Sequence, residues 1–186
     1  MSENAFDVFE SGGDSVGYLN WSAQERSFQI GKQNCELKKF LIDPSSLKTG
    51  WGLISSEGGN FVWADVAGTS VTKPAPYGDQ EYKPAFELQC YVSQKYGAPI
   101  DGWVEWRTNA RGARDGLHAI WEEIHDQSKD HLDESVVIEL AGMETVKFKK
   151  GGTVVPQFKI LGWGAPPEPR PSNSSVVQEE EQDEIF

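Results

Sequence analysis

The sequence predicts a mainly-β domain that carries one amphipathic helix, and three observations point to that class. Short apolar segments of extended type recur between connections rich in Gly and Pro. Strict alternation marks residues 85–92, with Phe86, Leu88, Cys90 and Val92 on one face and Glu87, Gln89 and Tyr91 on the other. Only residues 111–132 place apolar side chains at helical spacing. At 186 residues the chain is long enough for one well-buried domain and too short for two of ordinary size.

The elements follow in order. Residues 35–43 (CELKKFLID) are rich in apolar side chains and stop at Pro44, which cannot donate to a ladder. Residues 51–55 and 60–66 read as two strands joined through SEGGN, whose glycines suit a hairpin turn. Residues 71–83 have two prolines, a glycine and no apolar period, so they read as a surface loop. After the alternating strand and YGAPIDG, residues 103–108 resume extended structure. The helix carries Leu117, Ile120, Trp121, Ile124, Ser128 and Leu132 on one stripe, with Glu122, Glu123, Asp126 and Lys129 elsewhere. Residues 136–140 and 145–150 form one or two strands around AGM, and Gly151-Gly152 turns the chain into residues 153–163.

Strands, one helix, then a final hairpin is the order of an OB-fold-like five-stranded barrel, with the helix between the third and fourth strands. A β-sandwich with an inserted helix would give a similar order. The expected organisation is a flexible acidic N-terminus over 1–17, the barrel domain over 18–165, and a disordered acidic tail over 166–186, where proline, serine and acids leave little to bury.

Charge is sorted along the chain. The formal net charge is −12, but residues 18–165 hold 16 basic and 19 acidic residues, and residues 115–134 alone carry seven acids against Lys129. The rest of that body has 15 basic and 12 acidic residues, which is what a local cationic surface in an acidic protein requires. No stretch reaches the roughly 18 apolar residues of a membrane helix, and the first residues lack a signal peptide, so the expectation is a soluble, cytoplasmic protein without membrane association. Cys35 and Cys90 lie in apolar segments and read as buried free thiols.

Catalysis is the disfavoured class. No GxSxG, Walker loop, GxGxxG or HExxH is present, and His118, His125 and His131 do not share a helical face at i and i+4. No metal and no cofactor is expected. Aromatic residues are more informative. If Val62, Ala64 and Val66 point inward, Phe61 and Trp63 share the opposite face; if Val104 and Trp106 point inward, Trp103 stands beside Arg107; and Tyr91 points away from the Phe86 row. In the last hairpin, Val146 and Phe148 facing in would put Lys147, Lys149 and Lys159 on one outward face with Gln157. Lys38, Lys39, Lys48, Arg111 and Arg114 extend the cationic set. Cations that track a backbone, interleaved with rings that stack on any base, suit a single strand of DNA. The competing reading is a covered sheet face and a solvated lysine hairpin, and a different function class, a carbohydrate-binding or virion surface module, would use Trp63 and Trp103 to stack on sugar rings.

The chain closes with QEEEQDEIF, residues 178–186. A run of carboxylates ending in an aromatic residue resembles the tails of prokaryotic and phage single-stranded DNA-binding proteins, and in style those of the short-tailed T7-like phages, which are OB-folds ending in acids and Phe. The penultimate Ile185 departs from the Pro of the bacterial tails. The resemblance implies a sequence-tolerant protein, without catalytic activity, that protects single-stranded DNA in phage replication, recombination and repair inside an infected bacterial cell. It implies replication proteins (polymerase, helicase-primase) as partners, reached through Glu179, Glu180, Glu181, Asp183, Glu184, Ile185 and Phe186, and it leaves room for a homodimer.

Overall fold

A computed structural model describes residues 17–55, 58–66 and 68–170. The expectations for residues 1–16 and for the tail beyond Arg170, including the partner-binding residues 179–186, lie outside the described residues. Ten strands form one sheet: β1 (Tyr18–Ser22), β2 (Ser27–Ile30), β3 (Gln33–Cys35), β4 (Lys39–Ile42), β5 (Lys48–Ser55), β6 (Gly58–Trp63), β7 (Lys83–Val92), β8 (Gly102–Thr108), β9 (Ser135–Phe148) and β10 (Gly151–Gly164). Among the described residues one α-helix, α1 (Arg111–Ser128), lies between β8 and β9.

The alternating strand organises the sheet. Phe86, Leu88, Cys90 and Val92 of β7 are all buried, and Val104, Trp106 and Thr108 of β8 join them on the same face. Pro44 divides the preceding run as its missing N–H requires. Asp43 caps the short turn Pro44–Ser46 by accepting from the Ser45 N–H at 3.0 Å, so β4 pairs the C-terminal end of β7 and β5 pairs its N-terminal half. The core is aromatic: the Phe28, Phe40, Trp106 and Phe158 rings meet one another at centroid distances between 5.4 and 6.2 Å. Cys35 and Cys90 are buried free thiols.

The class is mainly β with one helix, and the sheet is open where a closed five-stranded barrel was expected. Its order is β10-β9-β4-β7-β8-β1-β2-β3, with β5 and β6 branching from β7. The difference comes from residues 18–35, whose strands of three to five residues are too short to show a period. β1 lies parallel to β8, through Tyr18↔Glu105 and Leu19↔Trp106. The sheet curls until β1 meets β10 without a ladder: the Trp21 indole donates 2.9 Å to the Val154 carbonyl.

Helix α1 ends at Ser128, one turn earlier than its pattern predicts, and Leu132 is exposed beyond it. The helix runs against the edge strand β10, and two glycines allow the approach: a Cβ at Gly112 would lie 2.4 Å from the Val154 oxygen, and one at Gly116 2.5 Å from the Pro156 oxygen. The helix thereby covers an edge that would otherwise be open to pairing. Strands β9 and β10 form one long hairpin with two register shifts: Gln157 pairs Gly142 and Phe158 pairs Leu140, leaving Ala141 without a partner, and Leu161 is left out between Ile160 and Gly162. Among the described residues no helix is long and apolar enough to cross a membrane.

Residues 166–170 are not free as the tail boundary predicted. Glu168 and Arg170 are fixed on the sheet: the Trp103 indole donates to the Glu168 carbonyl at 3.1 Å, and Arg170 Nη1 lies 2.9 Å from Asp43 Oδ2. Three prolines among residues 165–170 reduce the entropy lost when this segment is ordered.

Candidate nucleic-acid interface

The face of β7 and β8 that points away from the core carries three cross-strand pairs: Glu87↔Arg107, Gln89↔Glu105 and Tyr91↔Trp103. β5 adds Lys48 beside Glu87, and β1 adds Tyr18 beside Glu105. This face collects Trp103, Tyr91 and Arg107 as the alternation expects, with the two rings in one environment and Arg107 in another.

Phe61 and Trp63 are stacked on one another, with centroids 5.2 Å apart and ring planes within 11°. The pair lies over a floor of glycine. Phe61 pairs with Gly52 and Trp63 with Gly50, and a Cβ at Gly52 would come within 2.5 Å of the Phe61 ring. The Arg107 guanidinium stands 5.3 Å from the Phe61 centroid and 5.7 Å from that of Tyr18. Both rings of the stack are half-buried, which leaves surface for a ligand. The inward row that suggested this arrangement is only partly real: β6 ends at Trp63, and Val66 is exposed.

Arg107 is present as a flat guanidinium rather than as a free charge. Its Nε and Nη2 reach Glu87 Oε2 at 2.9 and 2.8 Å, Glu105 is a further ion-pair partner, and Lys48 Nζ lies 3.2 Å from Glu87 Oε1. Burial, and then the neighbouring Glu87 carboxylate, push the Glu105 carboxyl above its ordinary range, with Arg107 pulling the other way.

Tyr91 and Trp103 form an edge-on pair with centroids 5.7 Å apart, and both are buried, at 6% and 7% exposure. The segment that carries Glu168 lies over them. The expectation of an open platform at these two residues is therefore corrected: the face points outward, and the chain covers it.

The hairpin lysines do not share one face. Pairing sets Lys147 opposite Gly152 and Thr145 opposite the buried Val154, so Lys147 lies on the side of Val154, while Val146 and Phe148 lie on the other. The unpaired Ala141 reverses the parity that Ile138 and Leu140 establish. Lys147 lines an open groove of about 500 Å³ with Ala23, Gln24 and Thr145. Lys159 stands opposite Glu139, eight positions along β9 from Lys147, or about 26 Å at 3.3 Å per residue. Lys149 is in the exposed turn. Arg111 covers the Phe148 ring at 4.0 Å and pairs with Asp115, and Arg114 is half-buried, its guanidinium pKa lowered by that burial.

Lys38 and Lys39 come together at a residue the sequence reading passed over. Lys39 Nζ lies 5.6 Å from the Tyr96 centroid, Lys95 Nζ lies 5.5 Å from it, and the Lys38 N–H donates 2.8 Å to the Tyr96 carbonyl. The adjacent Lys-Tyr pair was the only available signal in a segment without a period. Tyr18 was missed with its strand. Among the described residues, no group of three or more His, Cys, Asp or Glu side chains is placed to hold a metal ion. Comparison with family models, with characterised proteins and with solved structures finds no match.

Proposed function

We propose that this chain binds single-stranded DNA without sequence preference, as a phage-type protein of replication, recombination and repair acting in the cytoplasm of the infected cell. One observation carries the reading: the parallel Phe61–Trp63 stack, with the Arg107 guanidinium beside it, on the exposed side of paired strands. Every base has a face that such rings can accept, and each stacked base contributes roughly 1–3 kcal/mol.

The strand order adds support. Taken as five units, β4 with β5, β7, β8, β9 and β10 follow the succession of an OB-fold, with α1 between the third and fourth. Their pairings agree with it: β7 to β4 and β5, β8 to β7, β9 to β4, and β10 to β9. Strand β1, with the Trp21 to Val154 bond, occupies the place where the barrel would close. In that architecture the face of the second and third strands, with the loops after the first and the fourth strand, holds oligonucleotides, and here those strands are β7 and β8 with the Phe61–Trp63 hairpin at their margin. The acidic residues 179–184 would then compete for the cationic surface, and Phe186 would dock on replication proteins.

A second reading has one observation in its favour. Arg107 and Lys48 are already matched by Glu87 and Glu105, and a neutral aromatic platform suits a sugar ring. The deciding experiment is fluorescence anisotropy with labelled single-stranded and duplex oligonucleotides across a salt series. Single-strand binding that weakens as salt rises supports the proposal; no binding of single strands at low salt rejects it.

A further inference from the structure

The cations around the sheet face are of two kinds. Arg107 and Lys48 are held by carboxylates, whereas Lys38, Lys39 and Lys95 form no ion pair among the described residues. Phosphate contacts need free ammonium groups. Two of the three, Lys39 and Lys95, flank the ring of Tyr96, a residue 37% exposed in the short turn Gln94–Tyr96 between β7 and β8, while Lys38 reaches this turn only through its backbone N–H. Two ammonium groups held against one ring repel each other, and an anion between them relieves that repulsion. Glu139 stands beside Lys39 in register and beside Lys159 on its other side, yet pairs with neither among the described residues.

The turn is built into the fold. Gly97 closes it at φ 100°, and a Cβ there would lie 1.9 Å from the Glu36 oxygen, so only glycine fits. We infer that the Tyr96 turn is a second contact for single-stranded DNA: a base stacks on Tyr96, and Lys39 and Lys95 hold the phosphates flanking it. This rests on the function proposed above and adds a place beyond the aromatic stack where the strand's charge is met. Phe61 lies level with Lys83 through Gly52, and Tyr96 follows the far end of β7, so ten residues of strand set the two contacts on the order of 30 Å apart. A strand that touches both falls within the roughly 4–16 nucleotides that one OB-type fold covers.

The test uses the full chain, the double variant Lys39→Gln with Lys95→Gln, and separately Tyr96→Ala. Oligothymidylates of about four and about sixteen nucleotides bracket that range. For the longer strand the double variant should flatten the slope of log affinity against log salt by about 1.4, at roughly 0.7 per lost phosphate contact. Tyr96→Ala should weaken binding of the longer strand with the slope unchanged, and the shorter strand, which fits on the Phe61–Trp63 stack, should keep its affinity for both variants. Thermal melting checks that the substitutions at the half-buried Lys39 and the exposed Lys95 and Tyr96 leave the fold intact. Unchanged slope and affinity for the longer strand overturn the second contact while leaving the proposed function standing. Equal losses for both lengths also overturn it, since the residues then belong to a single site. If the unmodified chain binds neither strand, the functional reading falls and takes this inference with it.

Discussion

The Trp103 indole donates its hydrogen to the Glu168 carbonyl, 65 residues further along the chain, and this bond divides two tryptophans that the sequence treats alike. Trp63 is half-buried in an open stack, and Trp103 is 7% exposed beneath residues 165–170. Trp103→Ala is therefore a stability variant. It should lower the free energy of unfolding by about 3–5 kcal/mol, the usual loss when a large buried aromatic is truncated, as read by denaturant titration.

Trp63→Ala should do the opposite. The chain stays folded, and single-strand affinity falls by roughly 1–3 kcal/mol, because half of the Phe61–Trp63 platform is gone while its Gly50 and Gly52 floor is untouched. Anisotropy at one fixed salt concentration measures the loss, and an unchanged affinity would remove Trp63 from the site.

How much of this was legible follows from the range of each interaction. The β7 pattern and the α1 stripe are local, and both elements formed on the residues that carry them, 85–92 and 111–132, with β7 starting at Lys83 and the helix stopping at Ser128. β1, β2 and β3 gain their stability from pairing with β8 and with one another, so five, four or three residues carry no readable period. At the site, Phe61 and Trp63 were legible as a co-facial pair. The cover over Tyr91 and Trp103 was not, since it depends on a contact across the whole domain. The Lys147 side was misread because one unpaired residue, Ala141, exchanges the faces of everything beyond it.

Glu105 gives a pH signature. Its folded-state pKa is raised, by burial first and then by Glu87, so between the ordinary carboxylate range and the raised value the folded chain keeps a proton that the unfolded chain releases. Stability contributed by this group therefore falls as pH rises through that window. Glu105→Gln should melt higher than the unmodified chain at neutral pH, and the difference should shrink as the pH drops into the acid range. A constant difference in melting temperature from neutral to acid pH would mean that the Arg107 ion pair offsets the burial, and a difference that grows as the pH drops would mean that it outweighs it.

Gly112→Ala sets two effects against each other. Alanine favours a helix interior over glycine by about 1 kcal/mol. The new methyl would sit 2.4 Å from the Val154 oxygen, a backbone atom of β10 that cannot turn aside, and overpacking of this kind costs typically 1–3 kcal/mol. Steric cost should win, with a net destabilisation of up to about 2 kcal/mol in a urea titration. A stabilised variant would show that α1 can lift from β10 at little cost.

Two truncations separate the cover from the acidic tail. Ending the chain at Arg170 removes the five acids between 179 and 184 and keeps Glu168 and Arg170 on the sheet. If those carboxylates compete for the cations, this chain binds single strands more tightly at low salt, the advantage fades as the Debye length falls below about 8 Å, and Trp103 emission does not change. Ending the chain at Ala165 also uncovers Tyr91 and Trp103. Trp103 emission should then shift to the red and become open to acrylamide quenching. Single-strand affinity should rise further, by an amount that persists at high salt, because stacking is not screened as charge is. Loss of Arg170 leaves Asp43 without its ion pair, which works against binding at low salt only. The high-salt comparison is thus the decisive one: equal affinity of the two truncated chains there would mean that the segment over Trp103 hides no part of the binding surface.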